Sequence, residues 1–412
     1  MSCFEEIREL LIQAIGSENR EMDDPEILEL IDDLVVSQGR RYLLTLREKE
    51  ALRKELFYSV RKLDIIQELV DDPAVTEIMV NGCRDIFIEK GGVICRWNKT
   101  FSSEERLRDV IGQIFGKCNR TINEQMPIGD ARLENGARVN AVLPPAAPDG
   151  PVLTIRRFPD VPITMEYLIR TGSISAEAAD FLKQLVQAGY TILVGGGTST
   201  GKTTFLNALS AFIPQDERVV TIEETAELQI AGPANLIRLE CRNASAEGGC
   251  EITIRDLLRT ALRMRPNRII IGEIRGAEAF DFLTCLNTGH PGSLGSAHAN
   301  SVRDMLGRLE TMTMMGAPLP VPVIRRQIAA GIEILVHLAR DRSGRRKTEE
   351  IAEITGIKND EIQIRTLFCR DKSGNLRQTN DLFHREKLEN MQADASAFSG
   401  NGDRRTGAVS DI

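Results

Sequence analysis

A glycine-rich stretch that ends in lysine and threonine is the clearest chemical feature of this 412-residue sequence. Within "TILVGGGTSTGKTTFLNAL", the residues Gly196, Gly201, Lys202 and Thr203 match the pattern G-x-x-x-x-G-K-[ST]. Backbone N–H groups of such a loop surround a phosphate, and the helix that follows adds its positive N-terminal dipole. The predicted nucleotide site comprises Gly196, Gly197, Thr198, Ser199, Thr200, Gly201, Lys202, Thr203 and Thr204.

Two side chains of this loop have distinct expected roles. We expect Lys202 to reach the β- and γ-phosphates and the Thr203 hydroxyl to bind Mg²⁺. The guanine-reading pattern [NT]-K-x-D is absent from the sequence, which favours ATP over GTP. The expected ligands are therefore ATP and Mg²⁺.

Carboxylates follow two apolar stretches further along the chain. Glu273 ends the apolar run of "RIIIGEIRG", and Glu223, Glu224 and Glu227 crowd the end of "RVVTIEETAEL". Strand ends beside a phosphate loop are where α/β proteins hold metal and water. We predict that Glu273 and Glu224 are catalytic and, because crowded carboxylates repel unless a cation is shared, that Glu223 is a metal ligand. The alternative for each is an ordinary surface carboxylate.

The window "TGHPGSLGSAHAN" contains His290 and His298, two of the four histidines of the chain. His298 ends a predicted strand, where its imidazole N–H is expected to contact the γ-phosphate or the acidic residues. The main alternative is a structural histidine, and it applies more strongly to His290, which lies on the preceding turn. A zinc pair is disfavoured because a spacing of eight fits no compact helical histidine motif.

The order of the predicted elements divides the chain into five segments. Residues 1–72 carry helical patterns, and residues 73–158 mix alternating strands with one helix, as in a small α/β domain. After a short linker, "FPDVP", residues 159–340 alternate helices with apolar strands, which predicts a largely parallel sheet covered by helices. Residues 341–385 predict a β-rich antiparallel extension, and residues 386–412 predict a disordered tail.

Composition argues against several other classes of protein. The net charge of −8 disfavours a broad electrostatic grip on nucleic acid. No apolar run approaches the roughly 18 residues of a membrane span, and "MSCFEEIREL" is no signal peptide. The eight cysteines lack any C-x-x-C, and Cys241 and Cys250 flank an expected flexible loop with no assigned role. We expect a cytoplasmic protein that contacts the membrane only through partners.

Four motifs occur here in the order found in a known family. The stretches "GGTSTGKT", "TIEETAEL", "RIIIGEIRGAEAFD" and "TGHPGSLGSAHAN" resemble the type II/type IV secretion and pilus-assembly ATPases, over roughly residues 60 to 340. The upstream "TEIMVNG", "DARLENGARVNAVLPP" and "TIRRF" are similar to the Tad pilus (CpaF) branch. The acidic motif carries Glu224 where relatives often have aspartate, and the tetracysteine insertion of some type II relatives is missing.

The resemblance implies a RecA-like P-loop ATPase domain that hydrolyses ATP within a ring, usually a homo-hexamer. Such a ring powers pilus assembly or secretion from the cytoplasmic face of the inner membrane, peripherally associated through an integral platform protein. It also implies that Glu273 activates water and that the histidine motif senses the γ-phosphate. A RecA-like nucleic-acid motor and a nucleotide-gated scaffold without turnover are the alternatives; the acidic charge disfavours the first, and the intact Lys202 and Glu273 disfavour the second.

Arginine replaces lysine altogether between residues 118 and 157, where the five basic residues are Arg120, Arg132, Arg138, Arg156 and Arg157. The guanidinium fork suits bidentate phosphate contacts better than an ammonium group does. In the family that the chain resembles, arginines of the small domain close over the nucleotide. We predict this catalytic role for Arg132, Arg138 and Arg157, with solvated charge or local ion pairing as the alternative.

Overall fold

The computed structural model describes residues 3–400, apart from residues 19, 21, 40, 119, 158–161, 243–249 and 342, and only the backbone of residues 394–400. The predicted linker "FPDVP" and the loop between Cys241 and Cys250 lie almost wholly outside the described residues. The chain divides into two compact units, Met1–Asp160 and Val161–Ile412. Within the described residues, no helix combines the length and the apolarity needed to cross a membrane.

The first unit begins with helices, and the first three of them share an apolar core. They are α1 (Cys3–Ser17), α2 (Asp24–Gly39), α3 (Leu46–Arg61), a 3₁₀ turn (Asp64–Ile66) and α4 (Gln67–Asp71). Ile7, Leu11 and Leu56 are fully buried in this core. Thr45 and Glu48 form a reciprocal capping box that fixes the start of α3. The predicted helical patterns are therefore helices held by one buried stripe each.

A six-stranded antiparallel sheet completes the first unit. Its strands are β1 (Val75–Asn81), β2 (Asp85–Lys90), β3 (Val93–Arg96), β4 (Ile128–Arg132), β5 (Arg138–Val142) and β6 (Val152–Arg156). Their order is β3-β2-β1-β6-β5-β4. Alternate residues such as Ile78, Val80, Leu153 and Ile155 are buried in one core with Ile111 of α5 (Glu104–Lys117).

The second unit is built on a nine-stranded sheet. Its strands are β7 (Ile192–Gly196), β8 (Arg218–Glu223), β9 (Asn235–Glu240), β10 (Arg268–Ile274), β11 (Leu294–His298), β12 (Ile334–Arg340), β13 (Arg346–Lys358), β14 (Glu361–Arg370) and β15 (Leu376–Gln378). The order is β15-β14-β13-β12-β7-β11-β10-β8-β9. From β12 to β9 all neighbours are parallel, whereas β13, β14 and β15 join antiparallel.

Helices pack on this sheet, and its strands are apolar because these helices bury them. They are α6 (Met165–Arg170), α7 (Ala176–Gln187), α8 (Lys202–Ser210), α9 (Ile254–Ala261), α10 (Glu278–Leu286), α11 (Val302–Gly316), α12 (Val321–Gly331) and α13 (Glu386–Gly400). Two apolar cores form, one containing Val194 and Leu206 and the other containing Leu193 and Phe282. Because neighbouring residues of β7 face different cores, every residue of that strand is buried. The predicted α/β fold class is confirmed.

Two features of the second unit differ from the sequence-based expectation. Strand β9 was not predicted, because its half-exposed "NLIRLE" lies at the sheet edge and lacks a continuous apolar run. The prediction of a disordered tail from residue 386 is wrong for Glu386–Gly400, which form α13. Lys387 Nζ anchors this helix by donating to Glu333 Oε2 (2.7 Å) and to the Gly189 carbonyl (2.9 Å). Residues 401–412 lie outside the described chain, and the five segment boundaries stay predictions.

Candidate active site

The phosphate loop connects the end of β7 to the start of α8. Gly201 has a φ of +93° and Ser199 a φ of +59°, so the loop turns through left-handed backbone conformations that glycine adopts without strain. At Gly196, a Cβ atom would lie 2.5 Å from Thr200 Oγ1 and 2.6 Å from the Leu338 carbonyl oxygen. Only glycine fits at Gly196, and the predicted strand–loop–helix arrangement is present.

Lys202 is buried at the start of α8 and faces the loop. Its ammonium group donates to the carbonyl oxygens of Gly196 (3.2 Å) and Gly197 (3.1 Å). It also lies 3.4 Å from His298 Nδ1 and 3.9 Å from Glu273 Oε1. The sheet order explains this meeting, since β11 lies between β7 and β10 and their carboxyl ends share one edge.

Glu273 and His298 form the centre of the site. His298 lies opposite Gly196 in the register of β11 with β7, and its Nε2 is 2.6 Å from Glu273 Oε1. Despite this short distance, the buried Oε1 accepts no hydrogen bond within the described chain. Burial lowers the pKa of His298, opposed by Glu273 and reinforced by Lys202, so the imidazole is neutral at neutral pH.

Arg275 is a member of the site that the sequence analysis missed. Its Nε and Nη2 donate to Glu273 Oε2 at 2.9 and 2.6 Å, and its Nη1 donates to Glu224 Oε2 at 2.8 Å. The guanidinium fork thereby fixes one oxygen of Glu273 and connects it to Glu224. The signal in the sequence is the arginine of "GEIRG", but its partner Glu224 is 51 residues away.

Glu223 is buried at the end of β8 and is bonded to the loop that follows it. Its Oε1 accepts hydrogen bonds from the backbone N–H groups of Glu227 (2.8 Å) and Leu228 (2.9 Å). Burial raises the pKa of Glu223 to about 7, and these two donors oppose the rise. Its Oε2 is buried and accepts no hydrogen bond from the described residues. Glu223 thus anchors the loop after β8 through Oε1, and its Oε2 has no hydrogen-bond donor among the described residues.

Two buried carboxylate oxygens accept no hydrogen bond from any residue that the structure describes, and they belong to neighbouring strands beside the phosphate loop. They are Glu223 Oε2 and Glu273 Oε1. The Glu223 side chain also lies against Gly272, where a Cβ atom would be 2.9 Å from Glu223 Cγ. Carboxylate, hydroxyl and water oxygens are the ligands that Mg²⁺ prefers. The residues present therefore fit a magnesium ion, with Thr203 in the first turn of α8 as a further oxygen ligand.

Two arginines outside the motif hold the phosphate loop in place. Arg340 Nε of β12 and Arg346 Nε of β13 donate to the Ser199 carbonyl at 2.9 and 3.2 Å. Thr200 Oγ1 donates to the Gly197 carbonyl at 2.9 Å. Neither arginine was predicted, because only the sheet order brings β12 and β13 next to the loop.

His290 has a structural role in the turn after α10. Its Nδ1 donates to the Cys285 carbonyl (3.0 Å), and its own carbonyl accepts from Ser293 Oγ (2.9 Å). The structural alternative weighed for this histidine is therefore the one that the geometry supports. Of the two histidines in the window, His298 alone contacts the phosphate-loop lysine.

The predicted arginines belong to the first unit. Arg132 Nε at the end of β4 donates to the Gly136 carbonyl (3.1 Å), and the Arg157 guanidinium donates to the Asp72 carbonyl. Arg138 lies opposite both Arg132 and Arg156 in the registers of β5. Their role toward a nucleotide stays a prediction.

Comparison with known proteins identifies the family. The family model described as "Type II/IV secretion system protein" matches residues 60–380. Type IV secretion system protein PtlH of Bordetella pertussis is 36% identical over 58% of this chain and 77% of its own length. Type IV secretion system protein VirB11 of Brucella suis is 31% identical over 70% of this chain and 88% of its own length.

A solved structure supports the fold independently. The pilus retraction motor PilT with bound ADP shares 17% identity and a TM-score of 0.51, over 82% of this chain and 89% of that one. At this identity the likeness concerns the fold alone, and it agrees with a RecA-like core. The chain belongs to the type II/IV secretion system protein family.

Proposed function

We propose that this chain hydrolyses Mg²⁺-bound ATP at its phosphate loop, as the motor subunit of a Tad or type IV-like pilus or of a type II/IV secretion system. The observation that supports this most directly is the cluster of Lys202, Glu273 and His298 beside the loop, with separations of 2.6 to 3.9 Å. A lysine, a carboxylate and a neutral imidazole are the groups that phosphoryl transfer to water needs at one place.

Each side chain of the cluster has one task in this proposal. Lys202 exchanges its contacts with the Gly196 and Gly197 carbonyls for phosphate oxygens. Glu273 orients and polarises the attacking water with Oε1, while Arg275 holds Oε2. The neutral imidazole of His298 donates a hydrogen bond toward the γ-phosphate, whose negative charge grows in the transition state.

Two residues beside the loop would hold magnesium. Thr203 would supply its hydroxyl, and Glu223 would supply Oε2 directly or through water. When bound, the ion neutralises charge on the β- and γ-phosphate oxygens. Glu224 contributes indirectly, because it holds the outer edge of the Arg275 guanidinium.

The remaining parts of the proposal concern assembly. A homo-hexameric ring would act on an integral platform protein at the cytoplasmic face of the inner membrane, with no nucleic acid involved and membrane contact only through partners. Two relatives are named as type IV secretion system proteins, which supports this setting. The Tad branch rests on the similarity of segments that form β1, β4, β5 and β6.

The decisive test separates ATP binding from turnover. We expect Lys202→Ala to lose both, whereas Glu273→Gln keeps ATP affinity and loses turnover by about 10² to 10⁴-fold, the usual contribution of a catalytic carboxylate. Isothermal titration with ATP and a phosphate-release assay measure the two quantities. Glu251→Gln, at an exposed carboxylate of the same unit, is the matched control.

Three outcomes would contradict the proposal in different ways. Near wild-type turnover by Glu273→Gln would show that Glu273 does not activate the attacking water. ATP binding without turnover by the wild-type chain would favour a nucleotide-gated scaffold. Turnover that rises strongly on addition of DNA would favour a nucleic-acid motor.

Ring formation is tested separately. If neighbouring subunits must hold each other's small domains, turnover per subunit rises with protein concentration as rings form. Sedimentation velocity with ATP and Mg²⁺, run beside the activity assay, measures both. A chain that stays monomeric while fully active would eliminate the ring.

A further inference from the structure

The first unit contains a cavity that shares no residue with the phosphate-loop site. Its volume is about 270 Å³, and it lies where α1 and α3 meet the 3₁₀ turn and the segment before α5. Aromatic rings line much of it, from Phe4, Tyr58 and Phe101. The volume is slightly below the roughly 300 to 1,000 Å³ of small-molecule pockets. A ligand of single-ring size therefore fits.

Most charges in the wall of this cavity are paired with each other. Lys99 Nζ lies 3.0 Å from Glu68 Oε2 and 3.6 Å from Glu55 Oε1. The Arg106 guanidinium is almost fully buried and forms an ion pair with the equally buried Asp64. These pairs comprise two cations and, with the second carboxylate on Lys99, three anions. The wall has one further cation.

That cation is Arg8 of α1. Within the described chain it forms no ion pair, and its Nε is buried without a hydrogen-bond partner. Burial and the charge of Arg106 lower the pKa of Arg8, yet a guanidinium remains protonated in proteins. Three other arginines in the N-terminal part of the first unit, Arg41, Arg53 and Arg61, each have a carboxylate within 2.5 to 2.7 Å.

An unsatisfied, partly desolvated guanidinium is unfavourable for the folded state. Proteins keep such groups where binding needs them, at some cost in stability. The missing partner of Arg8 is an anion, and the rings beside it favour an apolar body. Asp64 does not satisfy Arg8, because its carboxylate is bonded to Arg106 and to the Ile65 N–H.

We propose that this cavity binds a small organic anion, whose carboxylate or phosphate pairs with Arg8 and whose apolar body lies against the aromatic lining. The guanidinium fork matches both anionic groups. The site is separate from the ATP site and belongs to the part of the chain that carries no nucleotide motif.

The test uses the full chain with saturating ADP and Mg²⁺, so that the phosphate loop is already filled. Phenylacetate and phenyl phosphate are titrated by calorimetry, beside the uncharged phenylacetamide and benzyl alcohol. We expect saturable binding of at least one anion and much weaker binding of its neutral counterpart. Arg8→Met should lower the affinity for that anion by about tenfold or more. Arg53→Met, which removes an arginine outside the cavity, should leave this affinity unchanged.

Thermal unfolding distinguishes a binding role of Arg8 from a structural one. Because Arg8→Met removes an unpaired cation, the midpoint of unfolding should rise by about 2 to 4 °C without ligand. A lower midpoint would show that Arg8 stabilises the fold and would overturn the proposal. Failure of both anions to bind, or binding unchanged by Arg8→Met, would overturn it as well.

Discussion

The charged residues of the phosphate-loop site and the arginines of the first unit are held in different ways. In the second unit, Lys202, Glu273, His298 and Arg275 contact one another in a continuous set at the strand ends. In the first unit, Arg132 donates to a backbone carbonyl of its own hairpin. The first set is bonded side chain to side chain, and Arg132 of the second set is bonded to the backbone of its own hairpin.

This difference has a mechanistic consequence. A set of mutually bonded charges is preorganised before substrate arrives, and preorganisation is the main source of electrostatic catalysis. An arginine on a strand gains its effect only when a phosphate meets it. Binding should therefore depend on the second unit alone, while turnover depends on both units.

The largest effect that would test this comparison is expected from the arginines. Arginines that reach the transferring phosphate contribute about 10³ to 10⁵ in rate in other nucleotide hydrolases. We expect Arg138→Ala, or Arg132→Ala, to leave ATP affinity intact and to lower turnover by about 10³-fold. Phosphate release and ATP titration on the same preparation measure both.

Arg120→Ala is the matched control, because Arg120 is an exposed arginine of the same lysine-free stretch. Its turnover should stay at the wild-type level. Unimpaired turnover in both Arg132→Ala and Arg138→Ala would leave the second unit as a complete catalyst. Arg132 and Arg138 would then serve only as solvated charge or in local ion pairing within the first unit.

The sequence predicted the parts of the site whose signal is local. The phosphate loop follows β7, and Glu273 and His298 lie at the ends of β10 and β11. These buried apolar strands are recognisable because both of their faces are covered. Arg275, Arg340 and Arg346 were missed for the opposite reason. Glu224, which pairs with Arg275, and Ser199, which pairs with Arg340 and Arg346, lie 51 to 147 residues away from these arginines. They meet only through the sheet order, which residue patterns do not determine.

Two elements of the fold, β9 and α13, were not predicted from the sequence, and each has a local physical reason. Strand β9 pairs only with β8 at the edge of the sheet, so it needs no continuous apolar run. Helix α13 has a polar composition typical of disorder, but Lys387 and Leu388 attach it to the second unit. Tertiary contacts of two side chains therefore outweighed a compositional signal.

The next largest effect is expected from the two histidines of the window "TGHPGSLGSAHAN". His298→Ala should lower turnover by more than about tenfold with ATP affinity largely unchanged, because a contact that strengthens in the transition state affects turnover first. His290→Ala is the control from the same window, since it loses only a bond to the Cys285 carbonyl. It should lower stability by about 1 kcal/mol and keep turnover per folded subunit.

Metal analysis completes this histidine test. Activity should require Mg²⁺, and elemental analysis should find no bound zinc. Stoichiometric zinc that disappears in His298→Ala would replace the sensor role by a metal site. Equal losses of turnover in both histidine variants would instead indicate that the window acts only through the fold.

The smallest effect is expected at Glu223, where loop anchoring and metal binding coincide in one carboxylate. Glu223→Gln keeps an oxygen that can accept from the N–H groups of Glu227 and Leu228. Its free energy of unfolding should stay within about 0.5 kcal/mol of wild type, whereas Glu223→Ala leaves both donors buried and should lose about 1 to 3 kcal/mol. Chemical denaturation measures these values.

The same two variants also test the role of Glu223 Oε2. If Glu223 Oε2 contributes to magnesium binding, Glu223→Gln needs a several-fold higher Mg²⁺ concentration for half-maximal turnover, although its fold is intact. If its Mg²⁺ dependence matches wild type, the carboxylate only fastens the acidic loop and Thr203 must hold the ion without it. Glu223 would then have only a structural role in the site. The set of mutually bonded catalytic side chains would extend to Glu273 and would not include Glu223.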